Sequence, residues 1–345
     1  MVTWVDNIEV FITTTVVAFL VTPLFKKIAL QTGYLDHPLD IKAHAHPTPL
    51  LGGVSIYIAF MVGLFTTVKL SEDSKLIGII VGSTILLIVG LIDDRLGMIP
   101  ELKLLAQFLA AIAVVKSGVR IEFLHNYYIN VVVTYLWIIG ITNAFNLLDN
   151  LNGLSAGIAC ISSLFLGATM CMDNRFEIAA LSFALAGSCL GFLKHNFPRA
   201  HIFMGDTGSL VIGFLLASLV LLGSWNSADF TKSVAVPLII LAYPIFDTTL
   251  VSVMRILEGR SIFQGGKDHS SHRLALLGLR KKRAVLVIYA ICFALGLSAL
   301  IVRVSPFKIS ACVITLVVVS VLGLGIRLGM VTTGRFGRKK RKAQQ

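Results

Sequence analysis

Charge is what this sequence has least of. Asp, Glu, Lys and Arg make up 14% of its 345 residues, against about 25% in an ordinary soluble domain. That scarcity excludes a disordered chain, an ordinary cytosolic enzyme and a soluble nucleic-acid binder. The cysteines, Cys160, Cys171, Cys189, Cys292 and Cys312, lie in apolar runs and no two form a CxxC pair. A zinc knuckle and a disulfide framework are therefore excluded, leaving small packing residues. There is no GxxxxGK[ST] stretch, so the chain is not a P-loop protein. Neither a repeat nor a low-complexity linker divides it. It reads as one membrane domain over residues 1–330, followed by a basic tail at 331–345.

What is abundant is apolar sequence, at 56% of residues. Apolar segments fall at about 8–25, 50–68, 77–92, 102–115, 131–145, 153–172, 178–193, 209–223, 234–254, 284–302 and 307–328. Each is long enough, or nearly so, to cross a hydrocarbon core of roughly 30 Å. Lipid offers no partner to a bare backbone, so helices are expected. The fold class is an all-α polytopic membrane protein of about eleven spans. The first segment lacks a basic start and a small-residue cleavage pattern, and Lys26-Lys27 follow it; it is kept as a span. Most of the 30 lysines and arginines fall in the loops after odd-numbered segments. The positive-inside rule puts those loops in the cytoplasm, with the N-terminus outside and the tail, Arg335 to Lys342, inside.

Polar residues gather in the same odd-numbered loops. A transporter would carry them at both mouths and at mid-span; that reading would rest on Asp247 within the ninth segment. The first loop has Lys42, His44 and His46 before two prolines and Gly52-Gly53. Asp93 and Asp94 end the third segment. Two adjacent carboxylates repel unless a cation lies between them, and a helix C-terminus is a poor place for either. Oxygen ligands suit Mg²⁺, which takes one or two carboxylates plus substrate phosphates. Asn143, Asn146, Asp149, Asn150 and Asn152 follow the fifth segment. Asn146, Asp149 and Asn150 share a helical face by spacing, where they would read a nucleobase edge or complete a metal shell. Asp206 opens the eighth segment, either as an N-cap or as a metal ligand. Arg255, Arg260, Lys267, His269, His272 and Arg273 form a patch suited to phosphate. Asp247 and Arg255 stand about 12 Å apart along a helix, too far to pair without a kink. Carboxylates for a divalent cation and cations for phosphate, gathered at one face, are the parts of a phosphoryl-transfer site.

Six stretches carry a resemblance: HPTPLLGG (46–53), GLIDDRLG (90–97), NAFNLLDNLNGLSAG (143–157), NFPRAHIFMGDTGS (196–209), PIFDT (244–248) and GRSIFQGGKDHSSHRL (259–274). In order and content the chain resembles the bacterial polyprenyl-phosphate N-acetylhexosamine-1-phosphate transferases, the group of WecA, TagO and MraY. Its last stretch is similar to the UDP-GlcNAc branch. It departs from the family pattern at Asn150 and Asn152, at Ser271 in place of a histidine, and at Leu50-Leu51 before the glycine pair.

The resemblance implies a Mg²⁺-dependent transfer, with Mn²⁺ as a substitute. The donor would be a UDP-N-acetylhexosamine, the acceptor undecaprenyl phosphate and the by-product UMP. The setting would be the cytoplasmic face of a bacterial plasma membrane, among membrane lipids, without nucleic acid, with a homodimer as the expected assembly. Asp206 would bind the metal with Asn146, Asp93 and Asp94, and the last two would also organise the lipid phosphate. Asp149, Asn146, Asn152 and Asn143 would line the nucleotide side. His269, His272 and Arg273 would hold sugar or diphosphate, and Lys42 and His44 would contact the nucleotide. UDP-MurNAc-pentapeptide is the alternative donor.

Overall fold

The computed structural model describes residues 3–36, 47–67, 74–122, 124–224, 230–262 and 266–331. Lys42, His44 and the basic tail beyond residue 331 lie outside them. The described chain is helical except for one small ribbon. Its helices are α1 (Trp4–Thr32), α2 (Gly52–Thr67), α3 (Ser74–Leu96), α4 (Pro100–Lys116), α5 (Tyr127–Leu148), α6 (Leu154–Met172) and α7 (Phe176–Asn196). They continue as α8 (Gly205–Ser224), α9 (Phe230–Ile240), α10 (Ala242–Leu257), α11 (Ser270–Leu276), α12 (Lys281–Val304) and α13 (Phe307–Gly329). Strands β1 (Leu35–Asp36) and β2 (Thr48–Pro49) pair antiparallel.

Each of the eleven apolar segments coincides with a helix, the ninth with two. Eight are long and apolar enough to span a bilayer alone, and α9 with α10 makes a ninth, bent by 69°. Pro244 has no N–H to give the carbonyl of Ile240, which instead accepts from Ser162 Oγ at 3.3 Å. The expectation of about eleven spans is thus corrected at two places. At 16 residues, α2 reaches only about 24 Å. With 17 residues, α4 carries Glu101, Lys103 and Lys116.

The centre is α6 and α8, buried over 83% of their apolar stretch; α13, at 6%, faces outward. Around the start of α8 the helices meet through glycines. A Cβ on Gly53 of α2 would lie 2.2 Å from the backbone nitrogen of Gly208, and one on Gly90 of α3 would lie 2.4 Å from Thr207 Cα. The segment before α2 also pairs with the segment before α8. Gly52 N–H and Gly53 N–H donate to the carbonyls of Phe203 and Met204 at 3.0 and 2.9 Å, and Phe203 N–H donates to Pro49.

Gly53→Ala should lower the thermal unfolding midpoint, because overpacking of backbone against backbone costs about 1–3 kcal/mol. Gly140→Ala, where no atom lies within 4 Å, should be neutral or gain up to about 1 kcal/mol. Thermal denaturation of the two variants in one detergent checks the contrast.

Candidate active site

The site is built on the first turn of α8. Gly205 precedes Asp206 with φ +72°, and a Cβ there would strike Asp94 at 2.3 Å; only glycine satisfies both demands. Asp94 accepts from Asp206 N–H at 2.8 Å, from Thr207 N–H at 3.1 Å and from Thr207 Oγ1 at 2.6 Å. An acid ending α3 is unfavourable for α3 itself. Here it faces the positive end of α8, whose first N–H groups lack helical partners.

Asp93 looks the other way. Its Oδ1 accepts from Met98 N–H at 2.7 Å and its Oδ2 lies 2.5 Å from Lys103 Nζ. The same ammonium is 2.6 Å from Asp206 Oδ2. Three helices, α3, α4 and α8, thus bring two carboxylates onto one cation. Asn146 reaches the Asp206 carboxylate and donates to Ser209 Oγ at 2.9 Å.

This geometry tests the expected metal set. Among the described residues no three His, Cys, Asp or Glu side chains are placed to share an ion. Asp93 and Asp206, already closed around the positive charge of Lys103, fit Mg²⁺, which needs only one or two carboxylates when phosphate and water complete its shell. Both oxygens of Asp94 accept from the first turn of α8, which sets the place of Asp206. The Asn143 amide exchanges hydrogen bonds with Gln107 at 2.6 and 3.2 Å, tying α4 to α5.

Asp149 caps the C-terminal end of α5. Burial, and then the negative charges of Asp206 and Asp94, push its pKa up to about 8. Beyond it the chain turns at Gly153, φ +77°, held by Asn196 Oδ1 at 2.6 Å and by the hydroxyl of Tyr289 at 2.5 Å. Asn150 and Asn152 line a cleft of about 200 Å³ with Phe203, Lys281 and Lys282.

The histidine segment folds back along α10. Asp247, fully buried, accepts from His269 Nδ1 at 2.8 Å, from Ser270 N–H at 2.7 Å and from Ser270 Oγ. It lies about 15 Å of helix below the end of α10, so it anchors the loop and does not mark an ion path. Asp268 takes a two-pronged bond from Arg255, Nε at 3.0 Å and Nη2 at 2.9 Å, and a third from Arg260 at 2.9 Å. Burial opposes its charge, but the Arg255 bond and charge hold it at about 2. Arg255 is thereby paired with Asp268 and not with Asp247.

Arg273 is wholly buried and donates to the carbonyls of Asp268 at 2.8 Å, Leu328 at 3.0 Å and Val331 at 2.9 Å. It fastens the segment to the end of α13, while its Nη2 has no partner among the described residues. His272 remains half-buried at the surface, 6.4 Å from the His269 ring. Burial, followed by the charges of His269, Lys281 and Lys267, lowers its pKa to about 4. Ser271 Oγ donates to Asn150 Oδ1 at 2.7 Å, joining this segment to the cleft wall. Lys103, Lys281, Lys282 and Phe203 were not singled out by the sequence reasoning. A lysine ten residues beyond an acid pair, inside an apolar run, was the usable signal for Lys103.

Comparison with known proteins matches residues 76–224 to the model described as glycosyl transferase family 4. A probable undecaprenyl-phosphate N-acetylglucosaminyl 1-phosphate transferase of Bacillus subtilis is 35% identical over 318 residues, covering 90% of this chain and 88% of the relative. A decaprenyl-phosphate N-acetylglucosaminephosphotransferase of Mycolicibacterium smegmatis is 31% identical, with 81% and 77% covered. The undecaprenyl-phosphate alpha-N-acetylglucosaminyl 1-phosphate transferase of Escherichia coli is 26% identical, with 82% and 79% covered.

The Asp149 value sets a pH test. An acid whose folded pKa of about 8 exceeds its unfolded value of roughly 4 keeps its proton longer in the folded state. Stability therefore falls as pH rises between those values and levels off above the folded pKa. Asp149→Asn should gain thermal midpoint over wild type as pH is raised from 6 to 8, with no further gain at 9. A pH-independent difference would reject the shift.

Proposed function

Because the chain belongs to the polyprenyl-phosphate N-acetylhexosamine-1-phosphate transferase family, we propose that it transfers N-acetylglucosamine 1-phosphate from UDP-N-acetylglucosamine to undecaprenyl phosphate. The observation that carries the reading is the pair Asp93 and Asp206, closed on one cation beside the Asn150–Asn152 cleft.

An oxygen of the lipid phosphate attacks the sugar-linked phosphorus, a new P–O bond forms, the P–O bond to the uridine side breaks, and UMP leaves. A phosphate monoester has a second pKa near 6, so the acceptor is mostly a dianion at neutral pH and needs no base. What it needs is alignment and relief from repulsion. Asp93 and Asp206, with Asn146, would hold Mg²⁺, which supplies charge neutralisation across the diphosphate when bound. Lys103 adds a fixed positive charge at the same point. Asp93 is engaged at both oxygens, by Met98 N–H and Lys103, which favours a positioning role over attack on phosphorus. Asn152, Phe203 and Lys281 suit the uridine and its phosphate. His272, neutral in the free protein, gains a proton more readily beside a bound phosphate.

The acceptor's tail needs an apolar path. A groove of about 940 Å³ runs between α9–α10 and α13, lined by Phe246, Val253, Val317, Val321 and Gly325 among others. Each buried CH₂ there is worth roughly 0.8 kcal/mol. The asymmetry of lysine and arginine supports a site on the cytoplasmic face of the plasma membrane.

Purified protein with undecaprenyl phosphate, UDP-N-acetylglucosamine and Mg²⁺ should release UMP and form no stable phospho-enzyme from the donor alone. Asp93→Asn, Asp206→Asn and Lys103→Ala should each lose about 10²-fold or more in turnover while keeping the thermal midpoint. Near-normal rates, or release only with UDP-MurNAc-pentapeptide, would overturn the proposal.

Gly325→Trp, which narrows the groove on the outward-facing α13, should raise KM for undecaprenyl phosphate by about tenfold, as expected for roughly two displaced CH₂ groups. The donor KM should stay unchanged. A short-chain polyprenyl phosphate should show no such difference between the two proteins.

A further inference from the structure

On the far shoulder of the bundle, α1 and α7 enclose a separate cavity of about 270 Å³, lined by Thr22, Pro23, Lys26, His195, His201 and Ile202. Pro23 stands inside α1 and has no N–H for the carbonyl of Phe19 four residues back. His195 Nε2 fills that gap at 3.0 Å, with its ring stacked on Phe19 at 5.1 Å. A carbonyl only accepts, so Nε2 carries the hydrogen and the His195 donor is spent on α1, shaping the cavity wall. Lys26, one turn beyond Pro23, brings an ammonium to the same cavity, and exposed His201 brings a second imidazole. Among the described residues no carboxylate pairs with Lys26, His195 or His201, nor with nearby Lys194 or Arg199. The cavity opens beside an apolar face of α1, where Leu20 and Leu24 are exposed at 64% and 55%.

A cationic pocket at a helix end above an exposed apolar stripe matches the two halves of an anionic lipid. We propose that this cavity is a binding site for the phosphate of an anionic phospholipid, with Lys26 and His201 on the headgroup, His195 holding the cavity wall, and Leu20 and Leu24 along an acyl chain. Basic pockets between membrane helices take such headgroups, and Arg and Lys side chains bind phosphate through charge-assisted hydrogen bonds. The chemistry shared with free phosphate is the anion; the apolar stripe selects the lipid. The site is distinct from the carboxylate pair and is independent of the transfer reaction proposed above.

Native mass spectrometry of the full chain in detergent tests it. Wild type should retain one phosphatidylglycerol in preference to phosphatidylcholine, and Lys26→Gln/His201→Gln should weaken that binding by about tenfold or more. His195→Gln, which keeps an N–H for the Phe19 carbonyl, checks that loss of lipid is not loss of fold, with the thermal midpoint unchanged in both variants. Equal retention of phosphatidylglycerol by wild type and the double variant overturns the proposal, as does equal retention of phosphatidylcholine. Binding of inorganic phosphate as tight as that of the lipid makes it a soluble-anion site and overturns the lipid assignment. Displacement of phosphatidylglycerol by one equivalent of undecaprenyl phosphate makes it part of the acceptor site and overturns it equally.

Discussion

Both carboxylate oxygens of Asp94 hold the first turn of α8, and the reactive end of the protein rests on that contact. A buried helix start leaves N–H groups that must find acceptors. Usually a side chain at the helix start supplies one; here α8 opens on Gly205, which has no side chain. The acceptor comes from α3 instead, across a gap that Gly53 and Gly90 keep narrow. The arrangement fixes where Asp206 lies relative to Asp93, since Asp93 and Asp94 are neighbours on one helix. The distance from each carboxylate to Lys103 follows from helix packing and not from loop flexibility. A charged site assembled this way needs no reorganisation when a ligand arrives.

The histidine segment depends on a different economy of charge. Read as sequence, its arginines form an outward patch. Folded, Arg255 and Arg260 close on Asp268, and Arg273 turns to the carbonyls at the end of α13. Removing one member of a buried pair such as Arg255–Asp268 strands a charge at a cost of about 3–5 kcal/mol. The arginines therefore hold the segment's shape, and the groups left facing solvent are His272, Lys267 and the lysines that open α12. Asp247 completes the frame from below by fixing His269 and Ser270 together.

Much of this was legible in the sequence. Long apolar runs with no charge have one stable form in lipid, so the helices fell where hydropathy placed them. The bend between α9 and α10 has its cause in Pro237 and Pro244, but a proline marks a break without giving its angle. At the site, residue type was readable and partner was not. Asp93 and Asp94 are chemically alike and adjacent, yet one meets Lys103 and the other meets a helix end. That division is set by the rotation of α3 against α8. The packing partners of Asn143 and Arg273 were hidden for the same reason, since amides and guanidinium groups serve packing and ligands with the same atoms. Lys103 was overlooked because its run, with Lys116 at the end, looked like a weak span; it is short because its first turn belongs to the site.

Two of the places where the sequence departs from the family motif face each other. Asn150 stands where the pattern has a glycine and Ser271 where it has a histidine, and Ser271 Oγ donates to Asn150 Oδ1 at 2.7 Å. The Asn150 amide is oriented by its own bond to the Leu147 carbonyl at 2.9 Å, so the oxygen is the atom offered to the serine. A glycine at 150 would provide no acceptor side chain. The departures are therefore one structural change in two positions. It couples the wall of the Asn150–Asn152 cleft to the segment carrying His269 and His272 by a direct bond, where the family pattern would need contact of another kind. That wall begins at Asp149, in the field of Asp206 and Asp94, so the bond ties the histidine segment to the same end of the bundle as those carboxylates.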